Sequence, residues 1–258
     1  MLEVSAVYSV TQRIRSIKQP YRGYLPIRSF SSKSYEDGRN LNPQENVHGS
    51  CVGLAVDYLT RFRITNDADT AFAISMMGAE ILGQCGQTNQ YDFCCHLLEA
   101  VKNGGIAEAV QLVAYDPVFR AGVIDIPKLE PDAATIENIE IMVQRGVDFL
   151  NHCGSIIKSG FTLEGGYTDT VSSGDGDYLT HDALIDFKVL RRDFKSDNTL
   201  QVLMYYLMGL RSVHAEFKNV QRLVLFNPRK NVAKFINVNE IAASVIDEVN
   251  TKVIGYRY

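Results

Sequence analysis

The chain has 258 residues, 46% of them hydrophobic and 22% charged, and carries a net charge of −4. This is the composition of an ordinary soluble globular protein with one large domain, or one domain bearing a sizeable insertion. The acidic balance argues against indiscriminate nucleic-acid binding. No apolar run approaches the length of a membrane span, the longest strong one being residues 202–210.

The start, Met1-Leu2-Glu3-Val4, lacks a basic region followed by an apolar one, so no secretory signal is expected. The five cysteines are odd in number, with Cys94 and Cys95 adjacent and no framework spacing. Reduced thiols in a cytoplasmic setting follow. The charge is uneven. From Asp186 to the end there are twelve Lys and Arg against seven Asp and Glu, a local balance of +5 that suits phosphate contacts.

In chain order, residues 1–46 read as loops with one or two short strands. Residues 47–64 read as a helix, since Cys51, Val52, Ala55, Val56, Leu59 and Phe62 form one apolar stripe. Asp57 and Arg61 lie one turn apart on its flank, the spacing of a helical ion pair. Residues 67–157 read as almost wholly helical, with segments over 70–82, 91–103, 106–115 and 134–157. Gly104-Gly105 stops the second of these. The composition shifts near Ser159, which divides the chain into 1–158 and 159–258. The second part reads as strand, strand, strand, helix, strand, with strands over 161–171, 220–227 and 234–238. Its helix covers 199–211, and a last helix starts at Asn239.

The stretch from Gly174 to Val189 carries the chemistry. Asp177 opens one short strand; Asp186 and Lys188 sit two apart on the next and so share a face. The other face, with Ile185, Phe187 and Val189, is expected to enter the core. A lysine facing an aspartate beside a buried strand end is costly unless something uses it. Two carboxylates suit Mg²⁺, and a lysine beside them suits control of an attacking water. On the following helix Gln201 and Tyr205 stand one above the other. An amide and a phenol there suit a phosphate oxygen or a water. The plainer alternative is a solvated Gln201 and a Tyr205 that merely packs.

These residues resemble the motifs of the PD-(D/E)xK nuclease superfamily and, within it, the RecB-like branch. Gly174-Asp175-Gly176-Asp177 looks like GxxD, and Asp186-Phe187-Lys188 looks like (D/E)xK after the apolar Leu184-Ile185. Gln201 to Tyr205 matches QxxxY. The upstream GxxxH motif falls on Gly53 to Asp57, so Asp57 replaces the histidine, a departure from the pattern. The resemblance covers residues 160–238 and one helix near residue 53; the helical stretch between carries no motif.

The resemblance implies an α/β (α+β) fold: a restriction-endonuclease-like core with a mixed central sheet flanked by helices, plus a helical insertion. It implies a Mg²⁺- or Mn²⁺-dependent nuclease acting on DNA. Asp177 and Asp186, the Phe187 carbonyl and Asp57 are the expected metal ligands, with Lys188, Gln201 and Tyr205 completing the catalytic set. Arg191, Arg192 and Lys195, and less strongly Arg229 and Lys230, are candidates for phosphate contacts. A separate helicase or ATPase partner in a defence or repair system is also implied, because no motor is visible in this chain. Some relatives hold an iron–sulfur cluster through cysteines after QxxxY. No cysteine follows Cys153, so no cluster is expected. The alternative is an inactive nuclease-fold module that binds nucleic acid or protein.

Overall fold

The computed structural model describes residues 7–257. The Met1–Val4 start, on which the absence of a secretory signal was read, lies outside the described residues. The chain forms two compact units: the described residues up to Tyr35 with those from Leu150 onward, and Glu36–Phe149. This differs from the expected division at residue 158. The N-terminal segment belongs with the sheet because it supplies a strand and a helix to it. No helix among the described residues is long and apolar enough to cross a membrane.

The Glu36–Phe149 unit is helical, with α2 (Gly49–Thr65), α3 (Ala68–Ala71), α4 (Ala73–Gln84), α5 (Gln90–Lys102), α6 (Ile106–Leu112) and α7 (Asp116–Ala121). It also holds α8 (Ala133–Cys153) as far as Phe149. The helix expected over 70–82 breaks at Phe72, after the short α3 that Asp67 caps by accepting from the Thr70 amide. Asp116 is buried and accepts from the Tyr58 and Ser75 hydroxyls, both at 2.5 Å. One carboxylate thereby links α2, α4 and α7. Burial raises the Tyr58 phenol well above its ordinary value, with the Asp116 charge adding to the effect.

The expected extension of α8 to residue 157 fails. The helix stops at Cys153, followed by Gly154 in the left-handed region at φ 98°. Strand β3 (Ile156–Thr162) starts two residues later. The strand expected over 161–171 is replaced by a turn and a short β4 (Val171–Ser173). The Leu163 amide donates to the Tyr167 phenol rather than to a strand, which ends the ladder.

The sheet-bearing unit begins with β1 (Tyr8–Ser9), α1 (Val10–Ser16) and β2 (Ser31–Ser34). After β4 come β5 (Asp175–Thr180), β6 (Ala183–Phe187), α9 (Ser196–Gly209), β7 (Arg222–Asn227), β8 (Val232–Asn237) and α10 (Ala243–Glu248). A π-helical segment, Val249–Ile254, follows α10. The six-stranded sheet has the order β2-β8-β7-β6-β5-β3 and is mixed: β6 and β7 are parallel and the other neighbours antiparallel. Parallel neighbours need a crossover, and α9 supplies it.

The main core lies on one face of this sheet. Leu179, Leu184, Leu223, Leu225 and Ile236 pack there with Leu200, Leu203, Met204 and Leu207 of α9. This is the Leu184 and Asp186 face of β6, opposite the Ile185 and Phe187 face expected to enter the core. The second face is buried as well, by Tyr178, Phe187 and Phe226, whose rings meet in sequence at centroid distances of 4.8 and 5.2 Å. A strand flanked on both sides has no free face, which is why β6 reads as a continuous apolar run broken only by Asp186. Helix α9 is apolar nearly all round because it is enclosed by the sheet, α1 and the C-terminal π-helical segment.

Candidate active site

Strands β5 and β6 form a hairpin in which Tyr178 faces Ile185 and Leu179 faces Leu184. One step further from the turn on each strand stand Asp177 and Asp186, which by alternation belong to the face that Leu179 and Leu184 share. The ladder does not continue past Tyr178 and Ile185. Where Phe187 would have met Gly176, its amide donates instead to Oδ2 of Asp177 at 2.8 Å. The aspartate thus fills the opening between the strands with a carboxylate.

Two glycines make room for this. A methyl group built on Gly174 would lie 2.8 Å from Val10 Cγ2 and 3.2 Å from Tyr205 Cε1. One on Gly176 would collide with the Phe161 ring of β3. The alternation Gly-Asp-Gly-Asp follows: side chains are excluded at 174 and 176, and the carboxylates stand at 175 and 177.

Asp186 is 1% exposed. Lys188 Nζ lies 2.7 Å from its Oδ1 and 2.6 Å from its Oδ2, and donates to the Phe187 carbonyl at 3.2 Å. The Lys188 amide donates to the Phe226 carbonyl at 2.9 Å, which holds the lysine beside the end of β7. A carboxylate this deeply buried requires a cation, and the ammonium meets that need here.

Tyr205 is 4% exposed, and its phenol oxygen accepts from the Gln201 amide at 2.8 Å. Burial holds its proton well above the ordinary phenol value; the charge of Asp186, and more weakly of Asp177 and Asp175, adds to this, while the Gln201 hydrogen bond opposes it. The phenol is therefore a hydrogen-bond donor over the whole working pH range. Asp175 was not singled out as a site residue in the sequence. It lies two residues from Asp177 on β5, and that spacing was the available signal.

The basic residues gather at one end of the sheet. Arg191 and Arg192 are exposed after β6, Lys195 is exposed just before α9, and Arg229 and Lys230 follow β7. Because β6 and β7 are parallel, these loops leave the same edge, where ligands of open α/β sheets commonly bind. The Asn227 side chain ties the loops together, donating to the Leu190 carbonyl at 2.8 Å and accepting from the Leu190 amide at 3.3 Å. Lys230 pairs with Asp193 at 2.5 Å. Arg229 is half-buried, and its amide donates to Asn227 at 3.0 Å.

Asp57 sits in the helical unit and holds Arg61 with both oxygens, at 3.1 Å to Nε and 2.6 Å to an Nη. The helical ion pair read from the spacing is present. All five cysteines are free thiols. Burial pushes Cys94 up to about 12 and Cys153 up to about 11, so neither is an activated thiolate.

Among the described residues, no three His, Cys, Asp or Glu side chains are placed to hold one metal ion. The donors at hand are the Asp177 and Asp186 carboxylates and the Phe187 main-chain carbonyl. That set suits a hard cation that keeps several waters, as Mg²⁺ does, and not a closed zinc site. No protein-family model, curated protein or solved structure matches the chain.

Proposed function

We propose that this chain is a Mg²⁺- or Mn²⁺-dependent nuclease with a restriction-endonuclease-like core, hydrolysing phosphodiester bonds of DNA. The observation that carries the reading is the acceptance of the Phe187 amide by Asp177, beside the buried Asp186, with Lys188 Nζ 2.7 Å from Asp186. Two carboxylates gathered at one strand end favour a divalent cation as the ligand class.

Asp177, Asp186 and the Phe187 carbonyl are the groups that would hold the ion. Asp57 was the fourth candidate, and its bidentate pair with Arg61 supports a structural role instead. The chemistry such an ion supplies when bound is Lewis acidity toward phosphate oxygen and a lower pKa for water. Lys188 carries a proton at Nζ beside the carboxylates, where it orients a water or balances charge that develops on phosphate. Tyr205 and Gln201 add neutral donors on the same face. Arg191, Arg192, Lys195, Arg229 and Lys230 favour the polyanion at the adjoining edge.

The test is incubation of linear and circular DNA with the purified chain, with and without Mg²⁺, beside the Asp186→Ala variant. Metal-dependent cutting by the wild type and none by the variant is expected. Equal cutting by both overturns the assignment. Binding without cutting favours the inactive-module reading.

A further inference from the structure

We propose that the Tyr21–Arg22 turn is a stacking platform for an unpaired base, directing single-stranded nucleic acid onto the helix that carries Gln201 and Tyr205; this rests on the nuclease reading of that site. Tyr21 is 88% exposed, far more than the other aromatic rings at the surface among the described residues. A lone exposed ring is common and by itself means nothing. This one, however, is fixed in place at a cost.

The turn runs from Pro20 to Gly23 and is closed by the Gly23 amide donating to the Pro20 carbonyl at 2.8 Å. Its third residue, Arg22, has φ 71°, the left-handed region where such turns use Gly or Asn. An arginine there is strained, because its Cβ crowds the following carbonyl oxygen. The surroundings enforce it. Gly23 presses on α9 so closely that a methyl group there would lie 2.5 Å from Ser196 Cβ. On one side of the turn Gln19 Nε2 donates to Asp197 at 2.6 Å, and on the other Thr199 Oγ1 donates to the Leu25 carbonyl at 2.5 Å. Both arms are fastened to the first turn of α9.

The outcome of this strained backbone is a guanidinium held 5.0 Å over the Tyr21 ring. The cation covers one face of the ring and leaves the other open to water. Aromatic rings backed by arginine, in positive surroundings, are the elements that bind single strands without regard to sequence. Two exposed lysines flank the junction, Lys18 just before the fastened segment and Lys195 just before α9, while the Asp197 carboxylate accepts from Gln19. The sheet-bearing unit carries nineteen Lys and Arg against thirteen Asp and Glu, a balance of +6, whereas the helical unit carries seven against seventeen, a balance of −10. From Ser196 the helix rises about 7 Å to Gln201 and about 14 Å to Tyr205. Tyr21 is thus fixed beside the first turn of the helix that carries the two residues.

The test is fluorescence anisotropy with a labelled oligothymidylate, an abasic strand of equal length and a closed duplex hairpin, all in chelator so that nothing is cut. Tyr21→Ala should weaken oligothymidylate binding about tenfold, within the range for one stacked base. It should leave the abasic strand and the hairpin within twofold of wild type, and Tyr21→Phe should bind as wild type does. Arg22→Gly should melt higher, because the strain is relieved, yet bind the oligothymidylate more weakly. Unchanged oligothymidylate binding by Tyr21→Ala overturns the proposal, as does an equal loss on all three probes. The parent reading is judged separately, by Mg²⁺-dependent cutting. Cutting with an inert Tyr21→Ala removes the platform alone. A Tyr21 effect without any cutting removes the hydrolase and keeps the binding site.

Discussion

The carboxylate of Asp177 accepts the amide proton of Phe187 at 2.8 Å, across the opening where the β5–β6 ladder ends. This bond gives Asp177 a structural duty separable from its charge. Asp177→Asn keeps an acceptor for the amide, so it should melt close to wild type while losing cleavage. Asp177→Ala strands a backbone donor and should cost about 1–3 kcal/mol as well as activity. Urea titration beside a nuclease assay distinguishes the two; equal stability of both variants would show that the bond contributes nothing.

Lys188 is the counter-charge of a carboxylate that is 1% exposed. Removing one partner of a fully buried pair costs roughly 3–5 kcal/mol. The loss in Lys188→Met should be smaller, because the lysine side chain is 20% exposed and water can reach the site. Mg²⁺ should raise the melting temperature of this variant more than that of wild type, since the cation restores the missing charge. Turnover should fall by about two to four powers of ten. An unchanged turnover would make the lysine purely structural.

Gly174 meets Val10 on one side and Tyr205 on the other. Gly174→Ala should therefore destabilise by about 1–3 kcal/mol through overpacking. Val10→Ala, mild to moderate by itself, should recover much of that loss when combined with it, because the nearer contact is the end of the Val10 side chain. The double-mutant cycle measures the coupling directly, and simple additivity would refute the contact.

The helical unit should carry an acid sensitivity of its own. The hydrogen bond from Arg145, strengthened by the guanidinium charge and by Arg39, holds the Asp37 carboxyl well below the usual range. A carboxyl depressed in the fold stabilises it above its unfolded value near 4, and that stabilisation is lost as pH falls toward the folded value. Asp37→Asn should melt lower at neutral pH and lose less on acidification below about pH 4. Parallel melting curves for both proteins across that interval would remove the linkage.

Much of the site was legible because its signals are local. Asp186 and Lys188 are two apart on a strand, and Gln201 and Tyr205 are four apart on a helix; both spacings determine a shared face without tertiary information. The hairpin, the crossover helix and the Asp57–Arg61 pair were legible for the same reason. Features that depend on distant partners were not. An apolar run does not say which side of β6 holds the larger cluster, and the side that carries Leu184 and Asp186 does. β2 reads Ser-Ser-Lys-Ser and has no strand pattern; it exists because β8 offers it an edge. The end of α8 was placed too late because Ile156 and Ile157 continue its apolar character, although Gly154 already breaks the helix.

The interrupted course of the sheet-bearing unit has a consequence for synthesis. Strand β2 ends at Ser34, and its partner β8 begins only at Val232. Emerging at about 5–20 residues per second, the first strand waits on the order of ten to forty seconds for its neighbour. The Glu36–Phe149 unit has its full set of residues in the meantime and is free to fold on the ribosome. Asp177, Asp186 and Lys188 emerge later, and the edge of their sheet closes last. A nascent chain halted before Asn237 therefore lacks a complete β8, and the cutting centre proposed for this protein would be among its last parts to mature.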